Sequence, residues 1–229
     1  MLEFTIQGAG SLSLEVKKMI NGGLSNRDQA GAQKHLDEIL KEGIDLKISE
    51  TPVIMPKLSD RITNGDTVEV LAGSKTCGEA EAVLIIDKNN EIYIAAGSDH
   101  SDRELEKHDL VVSKQMCANV VSKEVWRYQD VKDHWDDLIL RGWVIEADGK
   151  RQLYQEGKLG EFLTVEEFLG KVKEHVTGDL TSAVVFMGTF PTLGGKLIYT
   201  PGFEAELIDE KLGRTLSCKY TIAPMTWFK

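Results

Sequence analysis

The alternation of apolar and polar residues predicts a β-hairpin near the middle of the chain. Residues 79–86 form an apolar stretch that opens with two glutamates, residues 87–90 are turn-forming, and residues 91–96 form a second apolar stretch. Side chains at alternate positions of a strand point to one face. Glu79 and Glu81 therefore project side by side. Apolar residues follow on both faces, which predicts a strand buried on both sides.

Helical spacing and end signals predict two longer helices. Residues 28–41 are rich in helix-forming residues and are followed by Gly43, a residue type that commonly ends helices. A second helix is predicted to begin after a capping box formed by Thr164 and Glu167, and to end at Gly178.

Shorter apolar runs predict further strands. Residues 2–7, 183–187 and 203–208 have strand length and composition, and the two prolines within residues 52–58 suit an edge strand or a loop. The Asn-Gly-Gly sequence at residues 21–23 predicts a turn. Strands outnumber helices and do not alternate with them regularly, so we expect an α+β fold.

Length and charge exclude several classes of function. A chain of 229 residues suits one domain, and its formal net charge of −10 repels phosphate backbones and anionic lipid surfaces. We therefore expect neither nucleic acid nor a membrane as partner, and the apolar runs are far shorter than the ~20 residues of a membrane span. Three scattered cysteines and an N-terminal segment without a signal-peptide pattern lead us to expect a cytoplasmic protein.

Glu79 and Glu81 are the best candidates for metal ligands. Two adjacent buried carboxylates repel each other unless one takes up a proton or a divalent cation neutralises them. The alternative is an ordinary solvated strand start. The acidic segment 98–104 follows the second hairpin strand, so the hairpin returns Asp99 to the neighbourhood of Glu79. Three carboxylates suit Mg²⁺, Mn²⁺ or Ca²⁺, whereas segment 98–104 taken alone suits a helix start capped by Ser98 or Asp99.

Further candidate residues lie on the first predicted helix and after the hairpin. His35 and Glu38 are three positions apart and could form an oriented general base, although an exposed helix pair explains them equally simply. Lys114 is a candidate anion clamp or an ordinary solvated lysine. The Gly/Pro-containing loop with Thr189 is a candidate binding loop for a carboxylate. The chain lacks a phosphate-binding loop, a dinucleotide-binding turn and a serine-hydrolase elbow.

In order along the chain, these segments resemble the fumarylacetoacetate hydrolase (FAH) superfamily. The resemblance is closest to a bacterial branch without an assigned activity. The matching segments are His35 with Glu38, Pro52 to Lys57, Glu79-Ala80-Glu81, Ser98 to Glu104, Lys114, Gly188 to Pro191, and Pro201 to Phe203 with Leu212 to Leu216. The family's motif after the lysine is absent, and the segment between Glu81 and Asp99 is shorter than usual, which makes Asp102 a rival third ligand.

The resemblance implies a fold, a reaction class and a set of roles. We expect a single FAH-like domain over residues 1–229, with N-terminal strands and a mobile lid helix in 1–50 and a catalytic mixed β-roll in 51–229. The expected enzyme is a homodimeric, Mg²⁺- or Mn²⁺-dependent hydrolase or lyase acting on a 2-oxo or 1,3-dicarbonyl carboxylic acid. The expected roles are metal binding by Glu79, Glu81 and Asp99, catalysis by His35, Glu38 and Lys114, and substrate binding by Arg27, Arg103 and Thr189.

The sequence also admits functions without catalysis. The missing motif after the lysine would fit a protein that keeps the fold and the metal but binds a small molecule without converting it. A structural module without any metal is a third possibility. Metal binding and turnover distinguish the three classes.

Overall fold

The computed structural model describes residues 1–41 and 50–227, without the side chains of His35, Ile39 and Lys41 in the first helix. The expected helix end at Gly43 lies outside these residues. The strands are β1 Leu2–Ile6, β2 Gly10–Leu14, β3 Lys18–Gly23, β4 Val53–Lys57, β5 Ile62–Thr63, β6 Thr67–Val70, β7 Thr76–Cys77, β8 Ala80–Ile86, β9 Ile92–Ser98, β10 Ser101–Asp102, β11 Asn119–Val121, β12 Glu124–Arg127, β13 Ile139–Ile145, β14 Arg151–Lys158, β15 Ala183–Thr189, β16 Gly202–Asp209 and β17 Arg214–Pro224. The helices are α1 Gln29–Lys41, α2 Arg103–Glu106, α3 Leu110–Ser113, α4 Tyr128–Val131 and α5 Val165–His175, with 3₁₀ turns at Lys132–Asp137 and Leu159–Glu161.

Two mixed sheets make up most of the described chain. In residues 1–41 and 50–227, ten strands form one sheet with the main order β2-β1-β12-β9-β8-β15-β3-β4, while β11 and β5 pair off this path. Five strands form a second sheet in the order β14-β13-β16-β17-β6, and β7 pairs with β10. The α+β expectation is confirmed, because strands dominate and the helices do not alternate with them.

The predicted hairpin forms the centre of the larger sheet and is buried on both sides. Strands β8 and β9 pair antiparallel, with Ala80 opposite Ser98, and β15 covers the other edge of β8. One face of β8 contributes Ala80, Ala82, Leu84 and Ile86 to a core shared with the second sheet. The other face contributes Val83 and Ile85 to a separate core that includes Phe186 and the N-terminal strands. Burial of both faces explains the nearly unbroken apolar sequence of β8.

The predicted helix ends agree with the structure where they are described. Helix α5 begins after Thr164, whose hydroxyl accepts from the Glu167 backbone N–H while the Glu167 carboxylate accepts from Thr164 N, which is the predicted capping box. Helix α5 ends at His175, three residues before Gly178. Strand β4 is an edge strand, as its prolines predict.

The predicted turn at residues 21–23 is wrong, because these residues belong to β3 between β4 and β15. Asn21 is fully buried and accepts a hydrogen bond from Asn119 Nδ2 at 3.1 Å. A Cβ at Gly22 would overlap Phe168, so this glycine permits close packing and not a change of direction. Among the described residues, no helix is long and apolar enough to cross a membrane.

Two glycine substitutions test the packing of the central sheet. A Cβ at Gly97 of β9 would lie 2.5 Å from Val83 Cγ2 and 3.0 Å from Val120 O, whereas Gly170 on the exposed side of α5 has open space. We expect Gly97→Ala to lower the free energy of unfolding by about 1–3 kcal/mol. Gly170→Ala should raise it by about 0.5–1 kcal/mol. Urea unfolding of both variants measures the difference, and equal effects would contradict this packing.

Candidate metal centre

Three carboxylates converge where the hairpin strands end. Glu79 immediately precedes β8, Glu81 lies within it, and Asp99 immediately follows β9. The antiparallel pairing continues past the strands through a hydrogen bond from Asp99 N to Glu79 O of 3.0 Å. One oxygen from each carboxylate lies within 4.8 Å of the others. The solvated alternative is wrong for Glu81, which is 1% exposed.

The spacing and surroundings of these oxygens fit a divalent cation. Two oxygen ligands at about 2.1–2.4 Å from a shared ion cannot lie further apart than about 4.2–4.8 Å, and the three oxygens of the cluster all lie within 4.8 Å of one another. Asp99 Oδ1 is buried and receives no hydrogen bond from the described residues; Lys57 Nζ, at 3.5 Å, makes only an ion pair with it. Oxygen donors of this kind suit Mg²⁺, Mn²⁺ or Ca²⁺. The binding of an ion stays a prediction.

The protonation of Glu81 and Glu79 is governed by burial and by their neighbours. Burial, together with the charges of Asp99 and Glu79, raises the pKa of Glu81 well above its usual value. Burial alone would raise the pKa of Glu79, but Arg103 and Lys114 lower it to about 2. Glu81 is therefore the member of the cluster that takes up a proton or requires a cation.

Lys114 lies at the centre of the acidic groups. It ends the short helix α3, and its Nζ lies 2.9 Å from Glu79 Oε2, 2.8 Å from Asp99 Oδ2 and 3.0 Å from Glu106 Oε1. Ser101 Oγ accepts a further hydrogen bond at 2.9 Å. Burial would lower the pKa of Lys114, but Asp99, Glu79 and Glu106 hold it well above its usual value. Lys114 is therefore a fixed positive charge, unlike the solvated lysine of the alternative interpretation.

Arg103 and two residues without a predicted role complete the cluster. Arg103 Nη1 contacts Glu79 Oε1 at 3.1 Å and Glu106 Oε2 at 2.8 Å. Burial lowers the pKa of Lys57, which lies beside Asp99 and donates to Asn119 Oδ1. Glu106 could have been found from its i,i+3 spacing to Arg103, and Lys57 from its place at the end of the Pro52 to Lys57 segment.

The charges of the cluster do not balance when every group is ionised. Four carboxylates face three cationic side chains, which leaves one negative charge in excess: Glu79, Glu81, Asp99 and Glu106 against Lys57, Arg103 and Lys114. A proton on Glu81 removes the excess, and so does a cation. The imbalance is the electrostatic reason to expect a ligand.

The end of β15 positions one oxygen of Glu81. Gly188 N donates to Glu81 Oε2 at 2.7 Å, and the β8–β15 register shifts between Phe186 and Thr189. Gly188 has a φ of 105°, and a Cβ there would lie 2.7 Å from Ser25 Oγ. Only glycine adopts this backbone without strain, so the glycine at this position is tied to the position of Glu81.

The hydroxyl of Thr189 donates its hydrogen bond to a backbone carbonyl. Gln155 Oε1 accepts from Ala80 N at 2.9 Å, so Gln155 Nε2 is the donor to Phe190 O at 2.6 Å and to Thr189 Oγ1 at 2.7 Å. Thr189 Oγ1 in turn donates to Ala80 O at 2.8 Å. In this arrangement Thr189 offers a lone pair to a ligand, and its binding of a substrate carboxylate stays a prediction.

A cavity of about 500 Å³ opens onto the acidic cluster. Its lining includes the three carboxylates, Arg103, Glu106, Lys107, Lys114 and Thr189, and also Leu36 of α1, which is fully buried. A larger cavity of about 590 Å³ lies beside residues 145–149 and contains none of the predicted site residues. Of these two cavities, the smaller one is therefore the candidate active site.

Three other candidate residues are not brought into this cavity. Arg27 forms a two-pronged ion pair with Asp136 at 2.6 and 2.9 Å and does not line the cavity. Glu38 is exposed and is not part of the cavity lining. Asp102 caps α2 by accepting from Glu104 N and Leu105 N, so Asp99 and not Asp102 joins the carboxylate cluster. The His35 side chain lies outside the described residues.

The sequence was compared with known families and with curated proteins. A family model described as a protein of unknown function, DUF2848, matches residues 22–220. The chain belongs to the DUF2848 family. A search of curated proteins finds no significant match.

Solved structures show that this DUF2848 protein has an FAH-like fold. A crystal structure of Cg1458 superposes with a TM-score of 0.66 at 16% identity, covering 93% of this chain and 78% of the other. A 2-keto-3-deoxyarabinonate dehydratase also gives 0.66 at 18% identity, covering 92% and 74%. The same dehydratase complexed with magnesium and 2,5-dioxopentanoate gives 0.64 at 17% identity, covering 91% and 73%.

We predict that Mg²⁺ or Mn²⁺ stabilises this DUF2848 protein through Glu81. At a free concentration of a hundred times Kd, a ligand specific to the folded state adds about 2.7 kcal/mol, which corresponds to about 5 °C or more in Tm at this chain length. Thermal unfolding should show this gain in the parent and in Glu91→Gln, an exposed glutamate of the same hairpin, but not in Glu81→Gln. An equal gain in Glu81→Gln would rule out a specific site.

The increase in Tm caused by Mg²⁺ should also depend on pH. The folded-state pKa of Glu81 is raised, so its contribution to stability without a cation is lost as pH rises from the unfolded pKa through the folded one. A cation requires the deprotonated carboxylate, so the Tm gain from Mg²⁺ should grow over the same rise in pH. A gain that falls with rising pH would contradict this linkage.

Proposed function

We propose that this protein is a divalent-metal-dependent hydrolase or lyase that acts on a 2-oxo or 1,3-dicarbonyl carboxylic acid through an enolate. The observation that carries the proposal is the cluster of Glu79, Glu81 and Asp99 around a fixed Lys114 at the base of a cavity. The fold likeness to a dehydratase solved with magnesium and a dioxo acid supports it. Mg²⁺ is the first candidate, and Mn²⁺ and Ca²⁺ share the same donor preference.

The charges of the site suit an anionic substrate. Glu79, Glu81 and Asp99 would hold the cation, and a divalent charge would convert the single negative excess of the cluster into a single positive one. Bound there, the cation would supply positive charge where negative charge develops on the 2-oxo oxygen. The binding of a 2-oxo acid with one negative charge would then make the whole cluster neutral.

Lys114 and Arg103 would act as preorganised charges. Both are already held by carboxylates, so little reorganisation is needed when a substrate arrives. The Lys114 ammonium would stabilise the developing enolate oxygen, and Arg103 would keep Glu79 ionised and oriented. Glu106 pairs with both Lys114 and Arg103 and would keep their positions fixed relative to each other.

The group that moves the proton is proposed to come from α1. Leu36 of this helix lines the cavity, and His35 directly precedes it in the sequence. We retain His35, with Glu38, as the proposed acid–base pair and α1 as a lid that closes over the substrate. Loss of turnover in His35→Ala with unchanged Mg²⁺ affinity would support this role.

A proton-exchange assay tests the proposed chemistry without a known substrate. We expect Mg²⁺-dependent exchange of the C3 protons of simple 2-oxo acids with deuterated water, followed by NMR, because every reaction of the proposed class forms an enolate. Lys114→Met should lower the rate about 10²–10³-fold, as does loss of one preorganised charge or donor in other enzymes. Lys123→Met, a surface lysine paired with Asp66, is the control and should match the parent.

The outcomes separate the candidate functions. Mg²⁺ binding without exchange for any oxo acid would favour the non-catalytic binding protein, and absence of Mg²⁺ binding would favour a metal-free module. Exchange at the parental rate in Lys114→Met would contradict the role of this lysine. We also propose a homodimer, as the family resemblance implies, and a cytoplasmic location, which the scattered cysteines favour; light scattering checks the oligomeric state.

A further inference from the structure

The cavity at the acidic cluster is lined by two chemically different sets of side chains. One set is the charged groups described above. The other set, here called the apolar wall, has six members from five separate segments of the chain: Leu24, Leu36, Val53, Met55, Leu110 and Leu197. Leu36, Val53 and Met55 are 0–3% exposed, Leu24 and Leu110 are half-buried, and Leu197 is exposed.

Partners for neutral hydroxyl groups are scarce in this cavity. Among the described residues that line it, Thr189 is the only neutral side chain with a hydrogen-bonding group. Its proton is committed to Ala80 O, and Gln155 occupies one of its lone pairs. Of the charged lining groups, Glu79, Arg103, Glu106 and Lys114 form ion pairs with one another, and Lys107 pairs with Glu104. A polyhydroxylated substrate would therefore find few neutral partners among the described lining residues for the hydroxyls that it removes from water.

We propose that the substrate combines a 2-oxo acid head with an apolar tail, and that polyhydroxylated sugar acids are disfavoured. This inference rests on the proposed function for the head group. An unpaired buried hydroxyl weakens binding, whereas a buried methylene strengthens it, so an apolar tail should bind more tightly than a hydroxylated tail of the same length. A volume of about 500 Å³ leaves room for a tail beyond the head group, since small-molecule sites span about 300–1,000 Å³. The preference would differ from that of the 2-keto-3-deoxyarabinonate dehydratase of the same fold.

Stable oxamate analogues test the preference without requiring turnover. Oxamate carries only the planar head, N-butyloxamate adds an apolar tail, and N-(2,3,4-trihydroxybutyl)oxamate adds a hydroxylated tail of the same length. Calorimetry with the Mg²⁺-loaded protein should give a Kd for the butyl compound at least about tenfold lower than for the trihydroxy compound. Equal affinity, or tighter binding of the trihydroxy compound, would overturn the inference.

The oxamate arm separates this inference from the proposed function. If oxamate binds with Mg²⁺ and the two tails do not differ, the apolar-tail inference fails while recognition of the head stands. If none of the three compounds binds, the proposed head-group recognition fails and the inference fails with it. Binding of oxamate and stronger binding of the butyl compound support both.

Two nearly size-matched variants locate the preference in the wall. Val53→Thr and Met55→Gln introduce polar atoms into the lining with little change of volume, so each should reduce the Kd ratio of the trihydroxy to the butyl compound several-fold. Val70→Thr is the control, because Val70 is buried to a similar degree but does not line this cavity. An unchanged ratio in both wall variants, or an equal reduction in Val70→Thr, would contradict the assignment.

Discussion

The arrangement of this site depends on electrostatic repulsion between carboxylates that the fold forces together. Glu81 has almost no access to solvent, and Glu79 and Asp99 both contribute to raising its pKa. Such a cluster persists only if other charges compensate for it. Lys114 and Arg103 neutralise part of the negative charge of the carboxylates. Lys57 forms an ion pair with Asp99 Oδ1, the oxygen that Lys114 does not contact. One negative charge remains, and a proton or a divalent cation would neutralise it.

The protein can hold this cluster because the hairpin beneath it is rigid. Strands β8 and β9 are buried on both faces, between the second sheet and the N-terminal strands, so their ends cannot move apart to relieve the repulsion. Gly188 near the end of β15 adds a backbone donor to Glu81, and Gln155 connects Phe190, which follows β15, to Ala80. The start of β8 thus links the core to the charged site. Ala80 and Ala82 pack in the core, whereas Glu79 and Glu81 belong to the carboxylate cluster.

Local patterns predicted part of this site, and distant contacts account for the rest. The Glu79–Glu81 pair and the return of Asp99 follow from the period of a strand and the antiparallel pairing of a hairpin. The partners of Lys114 do not, because α2 and α3 bring Arg103, Glu106 and Lys114 over the sheet through packing that has no short-range signature. The resemblance suggested Lys114 and Arg103 as site residues, but it also suggested Arg27, which instead pairs with Asp136.

The failures of sequence reasoning have physical causes as well. The Asn-Gly-Gly segment was interpreted as a turn because turn propensity is local, whereas Gly22 is small to accommodate Phe168 from a distant helix. Thr189 lines the cavity as predicted, but its hydrogen bonds could not be predicted, because they involve Gln155, which is far away in sequence. Buried polar networks of this kind depend on tertiary structure.

If Glu79, Glu81 and Asp99 share one divalent cation beside Lys114, the ion can be located directly. The experiment is a crystal structure of the protein soaked in Mn²⁺, with anomalous scattering measured near the manganese edge. We expect one strong peak within about 2.0–2.6 Å of an oxygen from each carboxylate, with the ion pairs of Lys114 to Glu79 and Asp99 retained. A map without a peak at this position, with Lys114 alone contacting Glu79 and Asp99, would contradict the proposed metal centre.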